Sequence, residues 1–203
     1  AFSGDEGEIL VTAPRRPEPL YDVPISALAL SGEALAGQRI RSMDVLSQFL
    51  PGLTFSPGWG GSTHISIRGI SSSFGAATTG IYLNDTPIQI RNLGASRTAT
   101  NAFPEIFDLE RVELLRGPQG TLFGAGSEGG GIRFITPLPA LARASARVQT
   151  ELGFTEHGGA SGKVGGTINI PLIDGKLAAR ASGYYRRDGG WIDRIDPISG
   201  RLM

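Results

Sequence analysis

Between Arg147 and Arg186 of this 203-residue chain, apolar and polar residues alternate in three successive runs, a period of two that suits strands and not helices. Val148, Thr150, Leu152 and Phe154 alternate with Arg147, Gln149, Glu151 and Gly153. Val164, Ile168 and Ile170 alternate with Lys163, Thr167 and Asn169, and Leu177, Ala179, Ala181 and Tyr185 with Arg180, Ser182 and Arg186. Residues 155–161 link the first two runs, and Ile173-Asp174-Gly175-Lys176 is a tight hairpin turn for the second pair. The expected product is an antiparallel sheet with one apolar and one polar face. Such a sheet occurs with one face in water, or in a membrane barrel with lipid outside and a polar lumen inside. Periodicity alone favours the first, because membrane-strand signals are weak per segment.

Elsewhere the apolar runs are shorter. Ile65 and Ile67 form one, Ile81-Tyr82-Leu83 turns at Asn84-Asp85 back to Ile88, and Val112 with Leu114 and Ile132 with Phe134 complete the set. Strands of about five residues are expected at each. Thirty glycines supply the turns they need, and an apolar content of 40% is enough for a core. One helix is expected from the Ser42 N-cap to Leu50, with Val45, Leu46, Phe49 and Leu50 on its inner face and Pro51-Gly52 ending it. Pro104-Glu105 should open a short helical turn, since proline fits the first helical position and acid favours the N-terminus. Three long Gly/Ser-rich connections, 56–63, 71–79 and 92–101, have the length of functional or mobile loops. Residues 1–20 read as an extended tether, with Pro14, Pro17 and Pro19 barring a helix.

Several chemistries are excluded. The chain has no cysteine, hence no disulfide scaffold, thiolate metal site or cysteine nucleophile. Nineteen basic residues balance nineteen acidic ones, so nothing draws it to nucleic acid. The division is uneven, with ten basic and thirteen acidic residues in 1–137 against nine and six in 138–203. No apolar run approaches the length of a spanning helix, and no basic and apolar leader is present. His64 and His157 lack ligand-spaced partners, so no metal site and no cofactor are expected. Without a G-x-S-x-G elbow a hydrolase triad is unsupported. Gly124, Gly126 and Gly129 spell G-x-G-x-x-G, but a dinucleotide turn must open a helix, and here the glycines run into the strand-like Ile132-Arg133-Phe134-Ile135. The Gly162-Lys163 pair is no phosphate loop, because His157 and Val164 stand where that loop needs Gly and Ser/Thr.

The stretch from Phe107 through Leu114-Leu115-Arg116-Gly117-Pro118-Gln119-Gly120 to Gly124, continuing through Gly129-Gly130-Gly131 to Thr136, closely resembles the end of the plug domain of TonB-dependent outer-membrane receptors. In the same order, Leu46 to Leu53 (LSQFLPGL) resembles the first plug helix. Ile65 to Ile70 and Ile81 to Ile88 (IYLNDTPI) resemble plug strands. The resemblance implies an α+β plug of short strands and small helices, followed by the start of an antiparallel transmembrane β-barrel that this chain leaves incomplete. Residues 1–20 would be box and tether, 21–137 the plug, and 138–203 the first barrel strands. Glu8, Ile9, Leu10, Val11, Thr12 and Ala13 resemble the family's coupling box, a β-prone hexamer suited to adding a strand to the edge of the C-terminal domain of periplasmic TonB. Arg68, Arg116 and Glu113 resemble the plug residues that form ion pairs with the inner barrel wall.

Three strands cannot close a barrel, so the chain is expected to be a fragment of a longer receptor, the product of a truncated gene or a soluble piece, with truncation favoured. The function expected is energy-coupled uptake of a scarce small solute, most commonly a ferric siderophore, across the bacterial outer membrane, with plug and box facing the periplasm and no catalytic residue. Trp59, Phe74, Arg91, Asn92 and Arg97 on the long loops are the expected ligand contacts, since aromatic area and forked guanidinium donors suit recognition. The rivals are a soluble α+β ligand-binding or adhesion module without TonB coupling, and an enzyme with a glycine-rich nucleotide site.

Overall fold

The computed structural model describes residues 10–11, 18–19, 25–57, 63–71, 77–88, 103–154, 156 and 158–190. The chain divides into two compact units, Ala1–Pro137 and Leu138–Met203.

In the first unit, β1 (Leu10–Val11) pairs antiparallel with β2 (Glu18–Pro19). Then come β3 (Ser26–Ser31), α1 (Gly32–Gly37), α2 (Met43–Phe49), β4 (Leu53–Pro57), β5 (Thr63–Ile67), β6 (Thr79–Leu83), β7 (Thr86–Pro87), β8 (Arg111–Arg116), α3 (Gly120–Phe123) and β9 (Gly130–Ile135). Strands β4 and β5 form a separate hairpin, and the rest build one five-stranded sheet in the order β3-β8-β9-β6-β7. All its pairings are antiparallel except β6 with β9.

Alternation along β8 sorts the two faces of this sheet. Val112 and Leu114 join Leu28, Leu30, Ile81, Ile132 and Phe134 in the main core, closed over by Leu35, Met43, Leu46 and Leu50 of the helical segment and by Leu53 and Ile67 of the hairpin. Leu115 points the other way, into a small cluster with Tyr82 and Phe123. The sheet is therefore a middle layer, which is why β8 and β9 are buried almost end to end.

Local sequence explains most of these elements. Ser31 caps α1 by accepting from the Ala34 N–H at 3.1 Å, with Glu33 in the first turn. Gly32 is required there, since a Cβ would lie 2.3 Å from the Leu109 carbonyl oxygen. Neither β3 nor α1 was anticipated, although Leu28 and Leu30 alternate and Ser31 is a cap residue. The helix after Ser42 forms as expected but Ser42 makes no side-chain cap; Val45, Leu46 and Leu50 face the core as expected, joined by Met43, while Phe49 is turned outward at 41% exposure. Leu53, placed with that helix by resemblance, instead opens β4, and α1 precedes it.

The helical turn expected at Pro104-Glu105 is absent. The Phe107 N–H reaches back only to the Glu105 carbonyl, at 2.8 Å, and Asp108 takes φ +52. Tertiary packing overrides the local signal here, because Phe103 stacks edge-on against Phe55 at 5.4 Å and Ile106 and Leu109 pack onto the core.

The second unit is one antiparallel sheet of β10 (Ser145–Phe154), β11 (Ala160–Ile173) and β12 (Leu177–Arg187). Its register places Val148, Thr150, Leu152 and Phe154 beside Gly166, Val164, Gly162 and Ala160, with Tyr185 opposite Val164 and Ala181 opposite Ile168. Arg147, Glu151, Lys163, Thr167, Arg180, Ser182 and Arg186 share the opposite face. The apolar face is bare, with Leu152 and Phe154 each 82% exposed. No helix among the described residues is long and apolar enough to cross a membrane, which says nothing of strands.

Candidate functional site

A buried charge network lies on the α3 side of the five-stranded sheet. Glu113 is fully buried and sits opposite Arg133 on the neighbouring strand. Its Oε1 accepts from Arg111 Nε at 2.8 Å and its Oε2 from an Arg133 terminal nitrogen at 2.6 Å. Arg133, 2% exposed, also reaches Asp85 Oδ1 at 3.0 Å and lies over the Phe123 ring at 5.5 Å. Arg111 additionally pairs with Glu110. Residues from β8, β9 and the β6–β7 turn are thereby tied across three strands.

Glu113 was grouped by resemblance with Arg68 and Arg116 as a residue meeting the barrel wall. Within the first unit its two oxygens accept from Arg111 and Arg133. Arg111, Arg133 and Asp85 were missed. The signal for Arg111 was its i−2 spacing, which puts it on the Glu113 face of a strand, whereas nothing local pointed to Arg133, twenty residues away.

Arg68 and Arg116 do come together. Both side chains flank Gly52, within 3.6 and 3.8 Å of where its Cβ would stand. Ser26, which pairs with Arg116 across β3 and β8, accepts from an Arg68 terminal nitrogen at 3.1 Å. Arg68 is exposed, at φ +53, and the Nε of Arg116 is buried without a hydrogen-bond partner. Neither has an acidic partner among the described residues, and a guanidinium group is a forked donor suited to carboxylates.

The G-x-G-x-x-G run and the Gly130 that follows it serve backbone conformation and close packing. Gly124 and Gly126 adopt φ +81 and +91, and Gly130 φ +133, with a Cβ there falling 2.0 Å from the Leu115 carbonyl oxygen. The loop follows a helix and enters a strand, the reverse of a dinucleotide turn. Tyr82 pins it: its hydroxyl donates to the Phe123 carbonyl at 2.7 Å and lies 3.0 Å from Ser127 Oγ. Tyr82→Phe should cost about 1–2 kcal/mol by leaving both groups buried and short of a partner. Hydrogen exchange of amides 117–131 checks this, and protection equal to the unmodified chain would contradict it.

Of the expected coupling box, Leu10 and Val11 stand opposite Pro19 and Glu18 in the β1–β2 pair; Glu8, Ile9, Thr12 and Ala13 lie outside the described residues. So do Trp59, Phe74, Arg91, Asn92 and Arg97.

Residues 19–131 match the TonB-dependent Receptor Plug Domain. The chain belongs to that family. It is 30% identical over 201 residues to the pesticin receptor of Yersinia pestis, an alignment covering 97% of this chain and 27% of the relative. An iron-regulated outer membrane virulence protein of Vibrio cholerae is 32% identical over 132 residues, covering 63% and 20%. Among solved structures, the ferric yersiniabactin uptake receptor FyuA of Yersinia pestis superposes with TM-score 0.65 at 28% identity, over 87% of this chain and 26% of that one. The FpvA receptor of P. aeruginosa bound to pyoverdines gives 0.67 at 25% identity, over 86% and 22%. The chain thus spans about a quarter of the length of the relatives it matches. The family is one of receptors, and the fold is a plug followed by an incomplete run of barrel-type strands.

Proposed function

We propose that these residues are the plug and first wall strands of an outer-membrane receptor that imports a ferric chelate with energy from TonB. The observation that carries this is the pairing of a plug with a sheet whose apolar face is uncovered. A soluble module would have to hide Val148, Leu152, Phe154 and Tyr185, whereas lipid accepts them and leaves the charged face to a wet lumen. A ferric chelate is what the similar receptors handle, FyuA taking up ferric yersiniabactin and FpvA binding pyoverdines with iron. No residue is catalytic in this reading. Residues 1–20 act as box and tether, 21–137 as plug and 138–203 as wall, with plug and box reached from the periplasm. Arg68 and Arg116 meet carboxylates of the inner wall, a role supported by their shared place beside Gly52 and by their having no acidic partner among the described residues.

The test is uptake of radiolabelled ferric chelates by cells carrying these residues in a receptor of full family length, with and without TonB. At least one chelate should accumulate, and only with TonB. Accumulation of none, or accumulation independent of TonB, would overturn the reading. Alanine at Trp59, Phe74, Arg91, Asn92 or Arg97 should weaken chelate binding by up to about tenfold each while leaving the plug folded. Unchanged affinity across all five removes the assignment.

A further inference from the structure

Asn169 is the one buried side chain among the described residues of the second unit, 1% exposed in an otherwise open sheet. Its amide grips the segment that enters the sheet. Oδ1 accepts from the Ala140 N–H at 2.8 Å, and Nδ2 donates to the carbonyls of Ala140 at 3.0 Å and Arg143 at 2.9 Å. A carboxamide offers the acceptor and donor of a peptide unit, so Asn169 bonds Ala140 as a neighbouring strand would. The segment needs such a surrogate, because Pro137 and Pro139 cannot donate to a ladder.

The first unit ends in a comparable grip. The Thr136 N–H donates to Asn84 Oδ1 at 3.0 Å, Asn84 Nδ2 lies 3.1 Å from Thr136 Oγ1, and the Asn84 N–H bonds the Phe134 carbonyl at 2.8 Å. Asn84 holds φ +54 at its turn, a conformation asparagine tolerates. Two asparagines therefore clasp the chain on either side of Pro137-Leu138-Pro139, each within its own unit.

We propose that Asn169 is a positioning residue for uptake: by fixing residues 140–143 to the polar face of the wall strands, it ends the length of chain that plug movement can draw out. This rests on the uptake reading above. A plug rearranged by force from its N-terminal tether moves usefully only if its other end is held. If residues 138–143 peel away, displacement is taken up as slack. Asn84 holds the upstream end in the same way.

The test uses a receptor of full family length bearing Asn169→Ala, Asn169→Asp or Asn84→Gly, the glycine preserving the positive φ. In Asn169→Ala, exchange at the Ala140 amide should rise about tenfold, as expected for one lost hydrogen bond. Chelate affinity and the half-saturating concentration for uptake should stay constant while the maximal uptake rate falls severalfold. Asn169→Asp keeps the acceptor for Ala140 and should be intermediate. Asn84→Gly should free the Thr136 amide and lower the same rate. Unchanged Ala140 exchange would show that there is no clamp, and faster exchange with undiminished uptake would show that the clamp has no part in transport. Uptake in the unmodified receptor that ignores TonB would instead refute the uptake reading, and the exchange result would stand apart from it.

Discussion

Glu113→Ala should destabilise the first unit by about 3–5 kcal/mol, a large share of what a domain of this size possesses. The carboxylate is fully buried between Arg111 and Arg133, at 2.8 and 2.6 Å. Removing it takes from Arg133, almost as deeply buried, its closer and fully buried counter-charge, whereas Asp85 is a solvent-exposed residue. Desolvating a cation is costly, and only a close counter-charge repays it. The same argument makes the double replacement Glu113→Leu with Arg133→Met much less damaging than Glu113→Ala, because both charges leave together and similar volume remains. Denaturant unfolding of the three chains decides the matter. A loss under about 1 kcal/mol for Glu113→Ala would mean that water already reaches the network. Equal losses in single and double variants would mean that packing volume, not charge pairing, is what Glu113 contributes.

Leu10→Pro or Val11→Pro should abolish TonB-dependent uptake in a receptor of full family length while chelate binding at the cell surface persists. Strand addition uses backbone N–H and C=O groups, and proline removes the donor and fixes φ. Val11→Ile keeps the donor and should be nearly silent, which separates backbone pairing from side-chain recognition. The structure adds a control, because Leu10 and Val11 already pair with Pro19 and Glu18 inside the chain. Glu18→Pro disturbs that internal pair without touching the hexamer. If Glu18→Pro also stops uptake, the internal ladder is what matters; if the box variants transport normally, Glu8 to Ala13 is only a linker.

The two predictions depend on information of different range. Alternation is local, so the strands of Ile65, Ile81, Val112 and Ile132, and the two faces of the sheet from Ser145 to Arg187, could be read one segment at a time. The glycine run could likewise be denied a nucleotide role from its immediate neighbours, since a strand follows it. Leu28 and Leu30 carry the same alternation for β3. By contrast, the partner of Glu113 depends on which strand lies beside β8. The order β3-β8-β9-β6-β7 brings Arg133 and Asp85 to it from twenty and more residues away, and no periodicity encodes a strand order. The turn at Pro104-Glu105 had helical chemistry and still did not form, because Phe103, Ile106 and Leu109 gain more by packing on the core than one short turn gains from its own hydrogen bonds. Asn169 looked like any polar residue on a wet face until the chain before β10 folded back onto it. Local pattern determined where strands begin and which way their side chains point. The tertiary structure alone decided which charge meets which and which amide holds the chain, because those contacts exist only once distant segments share a sheet.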